Sequence, residues 1–575
     1  MAILLSFAPL TNWVQGQDEK GKIIASIDFD PKTDGFSFKN YGRDHDGAND
    51  LDVSDLILIF GAKSVCIEGS TPDDCVLYET ADRWREEELV GMTGGHCDGF
   101  SVTTMRTWMN LPFRGKAQPK QWQPGAEVTN DLEFGGDLAN YIAYYHILQS
   151  LKEVSTFRMK SFKIPPTGIV KLLIESFQTK NEFYTLGVGM RLNGKYTKGH
   201  SILPFAVEDM GEGDYRIHVY DNNFPGQTKF VTVDSNTETW HYNTASDPND
   251  TAHEYVGDKN SQTFSLKKMS DRNLKKYACP FCEDNSTAKS GESSEGSANE
   301  TDQIHFSFSG EGNLLITDPN GKQIGYDGQK KAEINQISGA EVNYNDGGLG
   351  LDLAPDYALP YNNEGRDPQS SSKPPPQPNW TQNPAYSGVT LHPKKPYQVV
   401  ISGRDLKKEV EGNLEITAPG FVVGFEKISL DPSEELTVSI SPDGEILSFT
   451  ASGDGETPTI YVTTEAGPDK PSYSFEVGGV SLDAGKTLTM FADVEEGKVF
   501  FKDNDGNEDA YDVKFERTNA DGTKVKFTQD DLDLKGKDSY EIDINKWDNT
   551  SKPCVKEDHD GDGFDDESCG SDKND

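Results

Sequence analysis

The chain is short of positive charge, of cysteine and of long apolar runs, and each shortage narrows what it can be. Fifty-five Lys and Arg stand against 96 Asp and Glu, a formal net charge of −41. Affinity for nucleic acid rests on basic side chains that neutralise phosphates, so this balance argues against nucleic-acid binding. The same excess of carboxylates suits an extracellular or salty setting and affinity for divalent cations. No run approaches the ~20 apolar residues of a membrane-spanning helix. Ala2 to Leu10 are apolar but lack a basic flank; residues 1–17 read as the remnant of a secretory signal or as a first strand. With 575 residues and 34% apolar content, the chain is too long for one core. Its many Gly, Asp and Asn residues suit turn-rich β modules, and three or four domains are expected.

Seven cysteines are present. Cys66 and Cys75 lie close together, as in a stapled loop. Cys279-Pro280-Phe281-Cys282 reads as half a zinc site, a redox pair or a small disulfide at a domain end. The disulfide is favoured, because no second ligand pair lies nearby. Cys554 and Cys569 bracket an acidic stretch. Pairing neighbours leaves Cys97 alone, and an odd cysteine in an exported chain suggests a reactive thiol.

The setting of Cys97 points the same way. Gly94-Gly95-His96-Cys97-Asp98-Gly99-Phe100-Ser101 is a small-residue turn that delivers the thiol to the start of a helix over 101–110. Backbone N–H groups and the positive end of the helix dipole favour a thiolate there. About a hundred residues on, His200 opens the apolar run Gly199-His200-Ser201-Ile202-Leu203-Pro204-Phe205. In Arg216-Ile217-His218-Val219-Tyr220-Asp221, alternation puts Ile217, Val219 and Asp221 on one face, and His218 on the other, exposed one. An acid ending an apolar stripe needs a partner, and His200 is the candidate. Nucleophile, base and orienting acid are then Cys97, His200 and Asp221, with Asn222 as the alternative third member and His96 as a second-ranked base. For the oxyanion, the Cys97 N–H is one donor, and the polar turn at 38–42 nominates Asn40 for the other.

Helical spacing recurs over 53–60, 80–89 (capped by Thr80), 137–155 and 167–179, and strand-like runs follow over 183–192, 201–207, 215–221 and 229–233. That order, with the cysteine among helices and the histidine and acid on strands, is an α+β arrangement. The expected organisation is a catalytic domain over 18–282, a low-complexity linker at 283–302, a β module at 303–360, a Pro- and Ser-rich linker or long loop at 361–382, and β-sandwich modules over 383–550. Asp44, Asp46, Asp50 and Asp52 are read as a solvated loop before the first helix rather than a calcium site. The tail, 551–575, differs. Asp558, Asp560 and Asp562 take loop positions 1, 3 and 5, glycine takes position 6 and Asp566 position 9, a spacing that builds an oxygen cage for structural calcium. Position 12 is Cys569, so this is no regular EF-hand; the tail resembles the calcium repeats of thrombospondin type 3, with Cys554–Cys569 as its staple.

Residues 20–245 resemble the papain-like cysteine peptidases: a cysteine on a helix, then a histidine on a strand, then Asp or Asn on the next. Gly199 to Asp209 and Val219-Tyr220-Asp221-Asn222-Asn223-Phe224-Pro225-Gly226 are similar to an exported bacterial group with appended β domains. The resemblance implies Cys97 as nucleophile, His200 as base and Asp221 as orienter. It departs where the oxyanion glutamine should stand, six residues before the cysteine, a place held by Gly91. The function so read is a secreted or surface cysteine peptidase acting on a protein or peptide through a thioester. The alternative is a surface adhesin or structural protein whose papain-like domain is inactive or cross-links as transglutaminases do.

Overall fold

The structure, a computed structural model, describes residues 21–43, 45, 51–243, 254–282, 303–347, 354–361, 395–465, 471–479, 481–493, 498–504, 508–535, 539–543 and 554–558. Two bodies emerge. The first runs to residue 282. It begins with β1 (Lys22–Ser26), α1 (Val53–Phe60), α2 (Ala62–Val65), β2 (Cys66–Glu68), β3 (Val76–Leu77) and α3 (Glu79–Gly91). Then come α4 (Cys97–Trp108), α5 (Pro119–Trp122), α6 (Gly136–Ile147), α7 (Lys152–Ser161) and α8 (Pro166–Thr179). Seven strands close it: β4 (Tyr184–Leu192), β5 (Lys195–Gly211), β6 (Asp214–Tyr220), β7 (Thr228–Asp234), β8 (Thr239–Asn243), β9 (Glu254–Asp258) and β10 (Phe264–Lys268).

These strands form an antiparallel sheet in the order β10-β4-β5-β6-β7-β8-β9, with β1 also paired to β5. The long β5 gives its first half to β4 and its second to β6, and its register shifts between Pro204 and Ala206. His200 pairs with Val188 of β4, and Ser101 of α4 donates to the neighbouring Ser201 carbonyl at 3.0 Å, which ties this stretch of β5 to α4. Helix α4 is buried nearly all round despite its hydroxyls, because Thr103 and Thr107 donate back to the Gly99 and Thr103 carbonyls at 2.7 and 2.9 Å. A Cβ at Gly99 would stand 2.1 Å from the Ile142 carbonyl oxygen, so only glycine lets α4 and α6 cross this closely.

Sequence and structure differ at several ends. Asp52 is the N-cap of α1, its carboxylate accepting from the Asp55 N–H while Asp55 answers in return; Asp44, Asp46 and Asp50 lie outside the described residues. The residue before α3 is Tyr78, not Thr80, whose hydroxyl instead reaches Glu465. Periodicity suggests one helix over 137–155, but the chain tightens through Leu148–Ser150 and Leu151 is extended, so α7 starts afresh. His218 is not exposed as alternation suggested: it is half-buried against Glu208 at 3.1 Å. Disulfides join Cys66 to Cys75 and Cys279 to Cys282.

The second body is a single long sandwich of a nine-stranded and a ten-stranded antiparallel sheet around one apolar core. Its first strands are β11 (Gln303–Phe308), β12 (Asn313–Thr317), β13 (Gln323–Asp327), β14 (Ala332–Asn335), β15 (Glu341–Asn343), β16 (Asp356–Pro360), β17 (Tyr397–Ser402), β18 (Val410–Ala418) and β19 (Phe421–Leu430). The chain alternates between sheets: β11 pairs with β16 and β18 in one, β12 with β13 and β17 in the other. Ten more strands continue this exchange to Cys554–Asp558. Residues 303–360, read from the sequence as a module apart, therefore share both sheets with the strands after 395. Alternation along one strand cannot reveal this, since register across sheets is set by partners distant in sequence. Linker 283–302, most of 361–382, and the tail residues Asp560, Asp562, Asp566 and Cys569 lie outside the described residues. Asp558 and Cys554 are described as strand backbone only.

Helix α3 docks on the nine-stranded sheet. Arg83 stacks 3.4 Å from the Tyr461 ring centroid and pairs with Glu426, and Glu79 takes the Lys524 ammonium at 2.9 Å. Tyr344, Asp346 and Gly347, which follow β15, reach back from the sandwich into the first body. Among the described residues no helix is long and apolar enough to cross a membrane.

Candidate active site

The turn before α4 needs its glycines: Gly95 has φ +102, in the region that side chains avoid. It sets Cys97 as the first residue of α4, fully buried and free of any disulfide. The Ser201 N–H points at the Cys97 sulfur from 3.3 Å. The ring of His200 lies beside the same thiol and interacts with it. His200 Nε2 is 2.8 Å from Asp221 Oδ1, and Nδ1, the ring's other nitrogen, is buried with no hydrogen-bond partner among the described residues. Asp221 is held by three donors: His200, the Asn223 N–H at 2.8 Å and the Tyr242 hydroxyl. The three residues singled out in the sequence meet, and Asp221 rather than Asn222 faces the histidine. Asn222 instead donates to the Cys97 and Ser201 carbonyls at 3.1 and 3.0 Å, fastening α4 to β5. His96 is turned away: its Nδ1 meets the Tyr41 carbonyl at 2.7 Å and its ring stacks on Tyr41. Burial drops the His96 pKa to about 4, leaving it neutral.

Burial would lower the His200 pKa too, but the Asp221 carboxylate and its hydrogen bond outweigh that and push it up to about 10. Asp221 is correspondingly held below the usual carboxylate range: burial opposes this, and the imidazolium overcomes it. The Cys97 thiol is pushed up. Burial is the largest cause, the Asp346 carboxylate adds to it, and His200 and the Ser201 N–H pull the other way.

Asn40 lies against the turn that carries Cys97. Its Oδ1 accepts the His96 N–H at 2.7 Å, which fixes the amide so that Nδ2 points outward. Nδ2 donates to the Gly347 carbonyl oxygen at 2.9 Å, and the Cys97 N–H reaches that same oxygen at 3.4 Å. Gly347 belongs to the β15–β16 loop. The preceding carbonyl, of Asp346, lies 3.2 Å from the Cys97 sulfur.

The residues just before Gly347 are held as closely. The fully buried Asp346 carboxylate pairs with Arg158 and Lys267, each at 2.7 Å. Its N–H donates to Gln149 Oε1 at 2.9 Å, and Gln149 Nε2 donates to its carbonyl at 3.3 Å. Lys267 also pairs with Asp98 at 2.8 Å, as does Arg272 at 2.8 Å. A Cβ on Gly199 would lie 2.3 Å from Asp346 Oδ1, so this glycine leaves the room that the carboxylate fills. Arg158 also donates to the Tyr344 carbonyl, and the Tyr344 ring packs 4.2 Å from that of Tyr196.

Sequence reasoning missed Arg158, Lys267, Gln149, Tyr242 and the loop. The one local signal was Lys267 in the apolar Phe264-Ser265-Leu266-Lys267, a charge with no exposed face to occupy. Among the described residues no group of three or more His, Cys, Asp or Glu is placed to hold a metal ion. Searches of protein-family models, of curated proteins and of solved structures found no match for this chain.

Proposed function

We propose that the chain is an exported cysteine peptidase of papain-like fold that hydrolyses peptide amides through a thioester. One observation carries this reading: a peptide carbonyl oxygen already sits between two oxyanion donors, beside a buried Cys–His–Asp set. The thiolate attacks the carbonyl carbon and a C–S bond forms. The negative charge gathers on the oxygen that the Cys97 and Asn40 N–H groups face. The His200 imidazolium gives its proton to the leaving nitrogen as the C–N bond breaks. His200 then takes a proton from water, whose oxygen displaces the sulfur to release an acid. Asp221 holds the ring and favours its charged form. Two disulfides in the first body support an oxidising, extracellular or surface setting. The acidic tail from Asp558 to Asp566 is proposed as a structural calcium loop on its spacing.

The test is thiol reactivity once the loop is loosened. In the full chain carrying Asp346→Ala, Cys97 is expected to react with iodoacetamide at pH ~6 well above the rate of an ordinary thiol, whose pKa is about 8.5. Adding His200→Ala abolishes that advantage. Equal rates with and without His200 would leave the adhesin reading in place of the peptidase.

A further inference from the structure

Tyr344 to Gly347, the residues that leave β15, form a strap that lies against the thiol. We infer that Arg158 and Lys267 are a subsite for the acidic side chain of a peptide substrate, and that Asp346 fills this subsite as a built-in inhibitor. Resting on the peptidase reading above, this adds to it a substrate class and the contact that keeps the site silent.

Cys97, His200 and Asp221 are each 0% exposed, so a peptide reaches them only after something moves. The strap is what lies against them. The Cys97 S–H donates to the Asp346 carbonyl oxygen at 3.2 Å. The Gly347 carbonyl oxygen takes the Asn40 amide at 2.9 Å and the Cys97 N–H at 3.4 Å. The sulfur thus faces the strap as a hydrogen-bond donor with its proton engaged, the posture of a blocked thiol and not of an attacking thiolate.

What anchors the strap is the Asp346 carboxylate, 2.7 Å from both Arg158 and Lys267 in a dry interior. The cations belong to the first body, Arg158 on α7 and Lys267 on β10, and the anion comes from the second. Within the first body, the carboxylate that pairs with Lys267 and with Arg272 is Asp98. With Asp346 withdrawn, three buried cations would face one anion, an arrangement too costly to persist unless another carboxylate enters. The pocket floor has room for one. Gly199, next to the base, would put a Cβ 2.3 Å from Asp346 Oδ1, and Gly187 on the paired strand β4 would put one 3.4 Å from Oδ2. The following position is narrow: a Cβ on Gly347 would lie 2.2 Å from the Gly94 carbonyl oxygen, a backbone atom that does not swing aside as a side chain would. The cleft therefore suits peptides in which an acidic residue precedes glycine. A tethered strap has an effective concentration on the order of mM, so a free peptide competes poorly until the strap is loosened.

The experiment follows iodoacetamide labelling of Cys97 at pH ~6 by mass spectrometry, in the full chain as wild type, Asp346→Ala and Gly347→Val. The wild type should label slowly. Asp346→Ala loses two bonds to ionised partners and should label at least about tenfold faster. Gly347→Val keeps every charge and displaces the strap by bulk alone, so it should also label faster, and it serves where Asp346→Ala fails to fold. Both variants are then given acetyl-Tyr-Asn-Asp-Gly-amide, which should slow labelling again. The version with Asn in place of Asp should need at least about tenfold more peptide for the same protection. Equal protection by the two peptides, or none by either, would overturn the acidic subsite. Labelling as slow in both variants as in the wild type would overturn the strap as the inhibitor. Fast labelling that depends on His200, without protection, would leave the peptidase standing and remove this inference. Selective protection of a thiol whose labelling ignores His200 would keep the subsite and bring down the peptidase reading.

Discussion

Asn40 Nδ2 stands 2.9 Å from the Gly347 carbonyl oxygen, and the Asn40 side-chain oxygen is tied to the His96 N–H. The second tie means that the amide arrives aligned, with no reorganisation left for the moment of reaction. Asn40→Ala should therefore lower the rate of peptide cleavage by about 10²–10³. Alkylation of Cys97 needs no oxyanion and should be unchanged. A parallel loss in both would place Asn40 in folding rather than in charge stabilisation.

The His200–Asp221 pair sets the pH range. The imidazole pKa is raised to about 10, against an ordinary 6.5, so the pair's contribution to stability is complete below pH 6.5 and is lost as pH rises through 10. The imidazolium that lowers the thiol pKa persists over the same span. In Asp221→Ala, burial acts on His200 unopposed and its pKa falls below 6.5. The pH profile of Cys97 alkylation should then move to higher pH, because the thiol loses its cationic neighbour. An unmoved profile would separate Asp221 from the nucleophile.

How much of this was legible in the chain depends on distance along it. Cys97 and its turn were legible because helix start, glycine strain and thiol all lie within eight residues. Asp221 was legible because alternation placed an acid at the end of an apolar stripe. His200 was legible as the partner of that acid, though not its place inside a strand beginning at Lys195. The unity of the sandwich was not legible, because β11 meets β18 through hydrogen bonds that no local pattern encodes. Nor was the Asp346 pocket, whose cations come from a helix and from the last strand of another sheet. Burial makes those charges meaningful, and burial is a property of the whole fold.

The tail makes a prediction of its own. With Asp558, Asp560, Asp562 and Asp566 as ligands, calcium should raise the melting temperature of whichever unit the tail belongs to. A ligand at 100 times its dissociation constant adds about 2.7 kcal/mol. Isothermal titration with calcium should show one binding event that Asp560→Asn removes. No heat of binding in the wild type would dismiss the oxygen cage.

The pocket for Asp346 should read charge. Each charge-assisted hydrogen bond contributes about 1.5–3 kcal/mol, so losing one costs roughly 10- to 100-fold in binding. With the cleft opened by Asp346→Ala, Lys267→Met should erase most of any preference for a peptide carrying Asp over one carrying Asn before glycine. It should raise KM for the acidic peptide far more than it lowers kcat, since Lys267 touches no reacting atom. An unchanged Asp-to-Asn ratio would mean that the cation serves only Asp98.

The seam between the two bodies predicts where stability peaks. A cavity of ≈ 130 Å³ is lined there by Glu88, Asp356 and Glu415. Burial is the main cause that raises all three, Glu88 to about 8, Asp356 to about 6 and Glu415 well above its ordinary value. A carboxyl whose folded pKa exceeds its unfolded one stabilises fully below the unfolded value and loses that contribution as pH rises through the folded value. The loss spans about pH 3.8 to 6 for Asp356 and about pH 4.5 to 8 for Glu88. Three histidines, the buried His96 and His146 and the half-buried His305, act in the opposite sense: His96 and His305 are lowered to about 4, and His146 well below its ordinary value, each mainly by burial. Their contribution is lost as pH falls below about 6.5. The melting temperature should therefore peak near pH ~6 and fall by several degrees toward pH ~9, since each pKa unit corresponds to about 1.4 kcal/mol. Glu88→Gln keeps the hydrogen-bonding shape without a proton to lose, so it should make the alkaline limb shallower, with Glu415 and His200 still titrating, and leave the acid limb alone. A wild-type curve that is flat between pH 6 and 9 would mean that water reaches these carboxyls and that the seam opens freely.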